Sequence, residues 1–364
     1  MKQLLKEIRH NPLLWSLALI PVLFVCHRLK PESHTLLFVL SVFSIVPLAA
    51  LLSLATESVA ARTGDAAGGL LNATLGNLTE LVIALAALHA GQYMLVKASI
   101  AGAIVTNTLF VLGASFLLGG LKHHVQEYNR VAARFQAGLL FLATVALLIP
   151  SAVREADSVA APAFTQKLSV ALAVLLLGTY GSGMWFSLKT HRELFASAES
   201  GETSEELLPI GVALGTLAVV TVLVALVSEV FVDSVQQAAV AFGMTPAFVG
   251  FIVVSLVGGA AEMGSAFSGA RKNRLDLSVG IALGSASQIA LFVAPVLVLL
   301  SYVLGPAPMD LQFWPGAVVM MLIATMAASL VTGSGRSSWF VGVFVMMVYL
   351  IFAMTLYLLP PRAH

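Results

Sequence analysis

The segment Leu70–Leu88, LLNATLGNLTELVIALAAL, decides the fold, because it is apolar enough to cross a membrane and yet carries a carboxylate, Glu80. A charged side chain at the centre of a membrane span costs about 2.5–3.5 kcal/mol on the insertion scale. Acids at such positions face the protein interior or a water-filled cavity, and they mark pathways for ions or substrates. The segment also holds Asn72, Asn77 and Thr79. Glu80 is therefore the first candidate functional residue.

The composition places this segment in a membrane protein. Of the 364 residues, 59% are hydrophobic and only 10% are charged, whereas soluble domains carry roughly 25% charged residues. The formal net charge of +1 excludes a strong electrostatic footprint for nucleic acid. The single cysteine, Cys26, lies in an apolar run and has no partner for an intrachain disulfide. The chain is predicted to be an all-α, polytopic membrane protein that lies in a lipid bilayer.

Eleven apolar segments are long enough to cross about 30 Å of hydrocarbon. The first is interpreted as an uncleaved span, because no small-residue cleavage site follows it. Thirteen of the nineteen Lys and Arg residues fall on the cytoplasmic side if the N-terminus is cytoplasmic, which places the C-terminus outside. The short N-terminus suggests a prokaryotic plasma membrane. The predicted spans are 12–29, 36–60, 68–90, 94–118, 130–152, 165–188, 209–231, 246–270, 276–302, 311–334 and 337–359.

Glu80 has a counterpart in the second half of the chain. The segment Phe248–Phe267, FVGFIVVSLVGGAAEMGSAF, carries Glu262, and each acid follows a glycine by four residues, Gly76 and Gly258. The following spans also match, since AGAIVTNTLFVLG (101–113) resembles LGSASQIALFVAP (283–295). Because the third and eighth spans are five apart, they cross in opposite directions, which predicts the inverted repeat typical of transporters.

The repeat divides the chain into four predicted parts. An N-terminal segment with one extra span is followed by a five-helix repeat, an acidic cytoplasmic linker and the inverted five-helix repeat. Glycines in the matched spans let helices approach closely and favour local unwinding of the helix. The predicted boundaries are 1–35, 36–190, 191–208 and 209–360, and the glycines are Gly76, Gly102, Gly258, Gly259 and Gly284.

The polar residues of the matched spans form an all-oxygen set. Two carboxylates, side-chain amides and hydroxyls suit a hard cation such as Ca²⁺, and the absence of His and Cys from these motifs argues against Zn²⁺ or Cu⁺. Without the metal, two poorly solvated carboxylates would repel each other and take up protons. Glu80 and Glu262 could then hold either Ca²⁺ or protons, as a cation/proton antiporter requires. Alternatively, the two acids only hold helices together.

A second pair of acids lies near span ends at opposite faces of the membrane. Glu57 lies at the cytoplasmic end of the second span and Glu229 at the outer end of the seventh. We expect them to line the two vestibules through which a cation arrives. The alternative is that they are ordinary interfacial acids.

At this point the motifs resemble the cation/proton exchanger (CAX) branch of the Ca²⁺/cation antiporter superfamily. The segments that carry the resemblance are GGLLNATLGNLTELVIALAAL, IAGAIVTNTLFVLG, ALGSASQIALFVAPVLVLL, LATESVA and SEVFVD. The resemblance implies extrusion of cytosolic Ca²⁺ driven by inward protons, eleven spans, and sliding of the second and seventh spans against a rigid bundle. It implies Glu80 and Glu262 as central ligands, with auxiliary ligands Asn77, Thr106 or Asn107, Ser285 and Gln288.

Two departures from the family pattern leave the identity of the transported ion open. The family usually has Asn where this chain has Gly259, and often His where it has Met263. Loss of the amide could shift the preference toward Mn²⁺, Na⁺ or another cation. The resemblance also includes the acidic linker ELFASAESGETSEELLP, which either connects the repeats or gathers Ca²⁺; its acids are Glu193, Glu199, Glu202, Glu205 and Glu206.

Other functional classes fit less well. A metalloprotease would need HExxH and an ATP-driven pump would need GxxxxGK[ST], and the sequence contains neither motif. A channel would conduct without coupling and gives no reason for an inverted repeat. We expect no enzyme activity and no cofactor, with Ca²⁺ and H⁺ as transported substrates. The sequence leaves a homo-oligomer open.

Overall fold

The computed structural model describes residues 2–63, 65–156, 162–195 and 207–358. Helices dominate the described part because the long apolar segments satisfy their backbone hydrogen bonds internally, as a bilayer requires. The first half contains α1 (Lys2–His10), α2 (Leu19–Leu29), α3 (His34–Arg62), α4 (Asp65–Leu75), α5 (Leu78–His89), α6 (Tyr93–Val105), α7 (Leu112–His123), α8 (Arg130–Ala156) and α9 (Pro162–Trp185).

The second half of the chain contains a corresponding series of helices. Short π-helical segments join or extend helices in both halves, at Thr106–Val111, Phe186–Thr190, Val249–Val254 and Ile289–Val293, and 3₁₀ turns lie at Pro12–Ala18 and Arg192–Leu194. The helices are α10 (Ile210–Ala241), α11 (Pro246–Phe248), α12 (Ser255–Gly258), α13 (Ala260–Arg271), α14 (Leu275–Gln288), α15 (Ala294–Leu304), α16 (Pro315–Thr332) and α17 (Trp339–Leu358).

Two short strands lie on the side of the protein that is predicted to be cytoplasmic. Strand β1 (Val125–Glu127) pairs antiparallel with β2 (Arg336–Ser338), with Val125 opposite Ser338. Arg336 also pairs with Glu127 at 2.7 Å. The strands tie the connection after α7 to the start of α17.

The described part of the chain contains nine helices long and apolar enough to cross a membrane, or ten if the bent pair Pro246–Gly258 and Ala260–Arg271 is one span. The chain is therefore a multi-pass, all-α membrane protein. The predicted span 68–90 corresponds to α4 and α5, and α5 alone has 12 residues, fewer than the roughly 20 that a straight span needs. The exact number of eleven spans stays a prediction.

Both glutamate-bearing segments are broken helices rather than the continuous spans predicted from hydropathy. The first break lies at Gly76 and Asn77, between α4 and α5, and the second at Gly259, where the axis bends by 60°. The predicted unwinding at glycine is confirmed at these two positions. Glu80 and Glu262 are each the third residue of the helix after the break, where unpaired backbone N–H groups favour negative charge.

The helices around the breaks pack closely. α3 runs along α10, and α13 packs against α14. The continuous run Tyr93–His123 is the most enclosed of the candidate spans, with 89% of its most apolar window buried. At Gly102 in this run, a Cβ atom would lie 2.1 Å from the carbonyl oxygen of Phe251. Only glycine permits this approach, which brings the two halves of the chain together beside the breaks.

Candidate cation-binding site

A chain of hydrogen bonds joins the two halves of the protein at the first break. The Asn77 amide Nδ2 donates to Gln288 Oε1 at 2.6 Å, and Ser285 Oγ donates to Asn77 Oδ1 at 2.6 Å. Asn107 Nδ2 donates to Ser285 Oγ at 3.0 Å. Four of the residues that sequence reasoning selected, from the break, the Thr106–Val111 segment and α14, therefore lie in direct contact.

Glu80 lies against the opposite break. A Cβ atom at Gly258 would lie 3.1 Å from Glu80 Cγ, and one at Gly259 would lie 3.7 Å from Glu80 Oε1. The absence of side chains at these two residues leaves the room that the Glu80 carboxylate occupies. Glu80 thus contacts the second repeat although it belongs to the first.

Glu262 completes the group. It lies close enough to Glu80 for their negative charges to repel, and the Ser285 hydroxyl is within hydrogen-bonding reach of its carboxylate. Two neighbouring negative charges in a poorly solvated site are energetically unfavourable unless a cation or protons neutralise them. The arrangement can therefore hold either species.

A cavity of about 920 Å³ leads to this group from the side of the protein that carries β1. Its lining includes Asn129 and Asp276, close in the chain to β1 and to the start of α14, and also Glu262, Ser285 and Gln288 of the polar group. By the predicted orientation the cavity opens to the cytoplasm. Glu80 does not line it; this acid lines a separate small pocket with Ser99 and Ser255.

The cavity also shows how the two broken segments run. Asn72, which precedes the first break, and Asn273, which follows the second broken segment, both line it. The chain therefore runs from the cavity side into the first break, and from the second break back to the cavity side. The two segments cross in opposite directions, as the inverted repeat predicts.

Two buried acceptor oxygens in the group have no hydrogen-bond partner within the described residues: Asn107 Oδ1 and Glu262 Oε2. Leaving a buried acceptor unpaired costs about 1–3 kcal/mol, which a bound cation would offset. The described residues contain no cluster of three or more His, Cys, Asp or Glu residues suited to a metal. The oxygens gathered at this point are carboxylate, amide and hydroxyl oxygens, which suit Ca²⁺.

Thr106 does not belong to this group. Its hydroxyl donates to the Tyr349 hydroxyl at 3.4 Å, and so it faces α17. Of the two residues between which the sequence could not choose, Asn107 faces the other polar residues. The Gln288 side chain itself is bonded to Asn77. A π-helical turn at Thr106–Val111 changes the directions in which these side chains point. A regular helical pattern does not reveal this change.

The predicted vestibule acids differ in their placement. Glu57 lines the cavity and accepts a hydrogen bond from Ser53 Oγ at 3.0 Å. Glu229 lies on an exposed face of α10 and does not line this cavity. In the acidic linker, Glu193 is described and exposed. The other linker acids, Glu199, Glu202, Glu205 and Glu206, lie outside the described residues.

Sequence reasoning missed Gln136. This residue of α8 lines the cavity, and a Cβ atom at Gly284 would lie 3.2 Å from its Oε1. The matched segments of the two repeats do not extend into α8, which carries no such motif. The signal that could have found it is an amide in the otherwise apolar run that follows Phe135.

The sodium/calcium exchanger protein family matches the chain over residues 33–189 and 212–358. The chain belongs to this family. It is 38% identical to a Ca²⁺/H⁺ antiporter of Aphanothece halophytica, over 97% of this chain and 98% of the relative. It is 39% identical to a Ca²⁺/H⁺ antiporter of Synechocystis, over 93% and 95% of the two chains.

A solved structure shows the same architecture. The structure of native YfkE superimposes with a TM-score of 0.81 at 35% identity, over 94% of this chain and 98% of that chain. The resemblance to cation/proton exchangers that the motifs indicated is therefore confirmed.

Proposed function

We propose that this protein is a Ca²⁺/H⁺ antiporter that exports cytosolic Ca²⁺ in exchange for inward protons. The observation that carries the proposal is the meeting of two carboxylates from opposite broken helices beside the Asn77–Ser285–Asn107 network. The cavity that ends at this point gives a cation a route from one side of the membrane. The names of the two cyanobacterial relatives support the same exchange.

The Ca²⁺ step begins at the open cavity. A hydrated ion passes Glu57 near the mouth and reaches Glu262, whose Oε2 atom has no partner in the described part of the chain. The amide and hydroxyl oxygens of Asn77, Asn107 and Ser285 can replace water, since Ca²⁺ takes about 6–8 oxygen ligands. Glu80 supplies the second negative charge, so that the divalent ion is neutralised.

The proton step follows from the same charges. When Ca²⁺ leaves toward the outside, two adjacent carboxylates remain in a poorly solvated site, where both cannot stay ionised. They bind protons from the outer solution, and the protonated site returns to the cytoplasmic side. A cation and protons then compete for the same oxygens, which couples the two fluxes.

The conformational change is expected at α3 and α10. These helices pack along each other across the two repeats, and Glu57 of α3 borders the cavity. Their joint movement would close the cytoplasmic cavity and open an outer one, in which Glu229 takes the place that Glu57 has here. The two acids are then equivalent vestibule residues that act in alternate states.

We place the protein in a prokaryotic plasma membrane, with the N-terminus cytoplasmic and the C-terminus outside, without enzyme activity or cofactor. A second candidate is an antiporter of the same fold for Na⁺, Mn²⁺ or another divalent ion. Gly259 favours this candidate, because its Cβ position lies 3.7 Å from Glu80 Oε1 and offers no amide oxygen there.

The test is ⁴⁵Ca²⁺ uptake into proteoliposomes with and without an imposed pH gradient, with Na⁺, Mg²⁺ and Mn²⁺ as competitors. We expect uptake that depends on the gradient and that a protonophore abolishes. Gradient-driven movement of Mn²⁺ or Na⁺ without Ca²⁺ movement would establish the second candidate. Ion movement that ignores the gradient would refute both.

A further inference from the structure

Gln136 of α8 lies on the route between the cavity mouth and the two glutamates. A Cβ atom at Gly284 of α14 would lie 3.2 Å from Gln136 Oε1 and 3.6 Å from Nε2, so the amide rests on α14 at this glycine. Gln288 is four residues further along α14, on the same face and about 6 Å closer to the centre. Gln136 therefore lies one helical turn on the cytoplasmic side of Gln288.

The position of Gln136 is fixed by its backbone. Ser287 Oγ donates to the Gln136 carbonyl oxygen at 3.1 Å, and the neighbouring residue Ala137 is buried. α8 packs against α14 along this stretch. The side chain thus leaves a rigid junction between two helices, which is what a ligand residue needs for a defined geometry.

No hydrogen bond of the side chain in the described part of the structure gives the Gln136 amide a structural role. Its Oε1 atom is buried and has no hydrogen-bond partner within the described residues. A structural amide in a membrane helix usually pairs, as Gln166 of α9 does with Tyr302 and Met309. A half-turn of the terminal amide exchanges its oxygen and nitrogen, whose assignment rests on the hydrogen-bond network, and places the oxygen where Nε2 now lies.

We propose that Gln136 binds the incoming cation through its amide oxygen before the cation reaches Glu262. The step rests on the proposed antiport function and adds a residue outside the matched segments of the two repeats. A neutral amide oxygen is a hard ligand that Ca²⁺ accepts, and it replaces one water of a partly hydrated ion. Because it carries no charge, it assists dehydration without trapping the ion short of the two carboxylates.

The experiment measures the KM for Ca²⁺ on the cytoplasmic side in inside-out membrane vesicles. Gln136→Leu should raise this KM about tenfold, the lower end of the loss seen when a group that supports a metal site is removed, with a small change in kcat. Gln136→Glu should move KM in the opposite direction, because it adds a charged oxygen ligand. Gln166→Leu is the matched control, since its amide lies outside the cavity, and its KM should equal that of the wild type.

The directions of the two KM changes distinguish ligand binding from damage to the fold. A structural role would move KM in the same direction for Gln136→Leu and Gln136→Glu, and that result would overturn the proposal. An unchanged KM in an active Gln136→Leu variant would overturn it too. If the leucine variant does not fold, the unbranched Gln136→Met carries the same test. Wild-type vesicles that do not transport Ca²⁺ would instead refute the proposed function itself.

Discussion

Glu80 and Glu262 hold the same place in their two repeats but lie in different surroundings. Each is the third residue after a helix break. Glu262 lines the wide cavity that opens to the predicted cytoplasmic side, whereas Glu80 lines a separate small pocket. Similar sequences therefore place one acid at the wide cavity and the other outside it. This asymmetry is what alternating access requires of a site between two inverted halves.

The two breaks also differ in their side chains. At the first break Asn77 joins Ser285 and Gln288 by hydrogen bonds, whereas Gly259 at the second break offers no side chain to Glu80. The first break is tied to the opposite repeat through a polar network, and the second contacts it through the Glu80 carboxylate. The two breaks therefore contact the opposite repeat through different groups.

The largest effect should come from removing either charge. Glu80→Gln and Glu262→Gln should each lower gradient-driven ⁴⁵Ca²⁺ uptake about 100-fold, because each variant removes one of the two negative charges that neutralise the divalent ion, and loss of even a supporting group at a metal site costs about 10–100-fold. Uptake per reconstituted protein is the measurement. Glu32→Gln is the control, because the Glu32 side chain is 96% exposed. Full uptake in both variants would show that the two acids are structural.

A methyl group at Gly258 should have the next largest effect. Its Cβ atom would lie 3.1 Å from Glu80 Cγ, so Gly258→Ala displaces the Glu80 side chain and should reduce uptake about tenfold, a loss of about 1.4 kcal/mol. Gly264→Ala in α13, the helix after the break, is the control, since its Cβ atom meets no atom within 4 Å. Equal uptake by the two variants would mean that Glu80 does not depend on this contact.

An amide side chain at position 259 should make the second break chemically similar to the first, which carries Asn77. Gly259→Asn places a side-chain oxygen near Glu80 and should lower the KM for Ca²⁺ about threefold, since an added hydrogen-bonding oxygen contributes about 0.5–1.5 kcal/mol. Gly259→Ala controls for the added Cβ atom, which would lie 3.2 Å from the Ser255 carbonyl oxygen. A KM that rises equally in both variants would show that this break has room for glycine alone.

The smallest effect is expected on the side opposite the cavity, which is predicted to be the outer side. Gln92 Nε2 donates to the Val232 carbonyl oxygen of α10 at 3.0 Å, so Gln92→Ala should weaken outer closure by about 0.5–1.5 kcal/mol. A cysteine introduced by Ser265→Cys in the cavity, in a Cys26→Ser background, reports the open state. We expect its labelling by a membrane-impermeant thiol reagent to slow a few-fold. Unchanged labelling would show that this hydrogen bond does not bias the two states.

The sequence alone predicted the membrane class, the matched repeats and the polar residues that the structure brings together. The glycines indicated local unwinding, but hydropathy averages over a turn at glycine, and so it predicted continuous spans where the structure has separate helices around Glu80 and Glu262. The π-helical turn at Thr106–Val111 separates Thr106 from Asn107, and no pattern in the residues indicates it. Gln136 was missed because its role depends on the packing of α8 against α14, which only the structure shows.

The most direct test of the central claim is the release of protons when Ca²⁺ binds. Purified protein in weakly buffered detergent solution is titrated with Ca²⁺ while a pH-sensitive dye records the protons released. If Ca²⁺ and protons compete for Glu80 and Glu262, the wild type releases protons as it binds Ca²⁺, and each glutamine variant loses the release. Ca²⁺ binding of unchanged affinity without any release of protons would contradict the account.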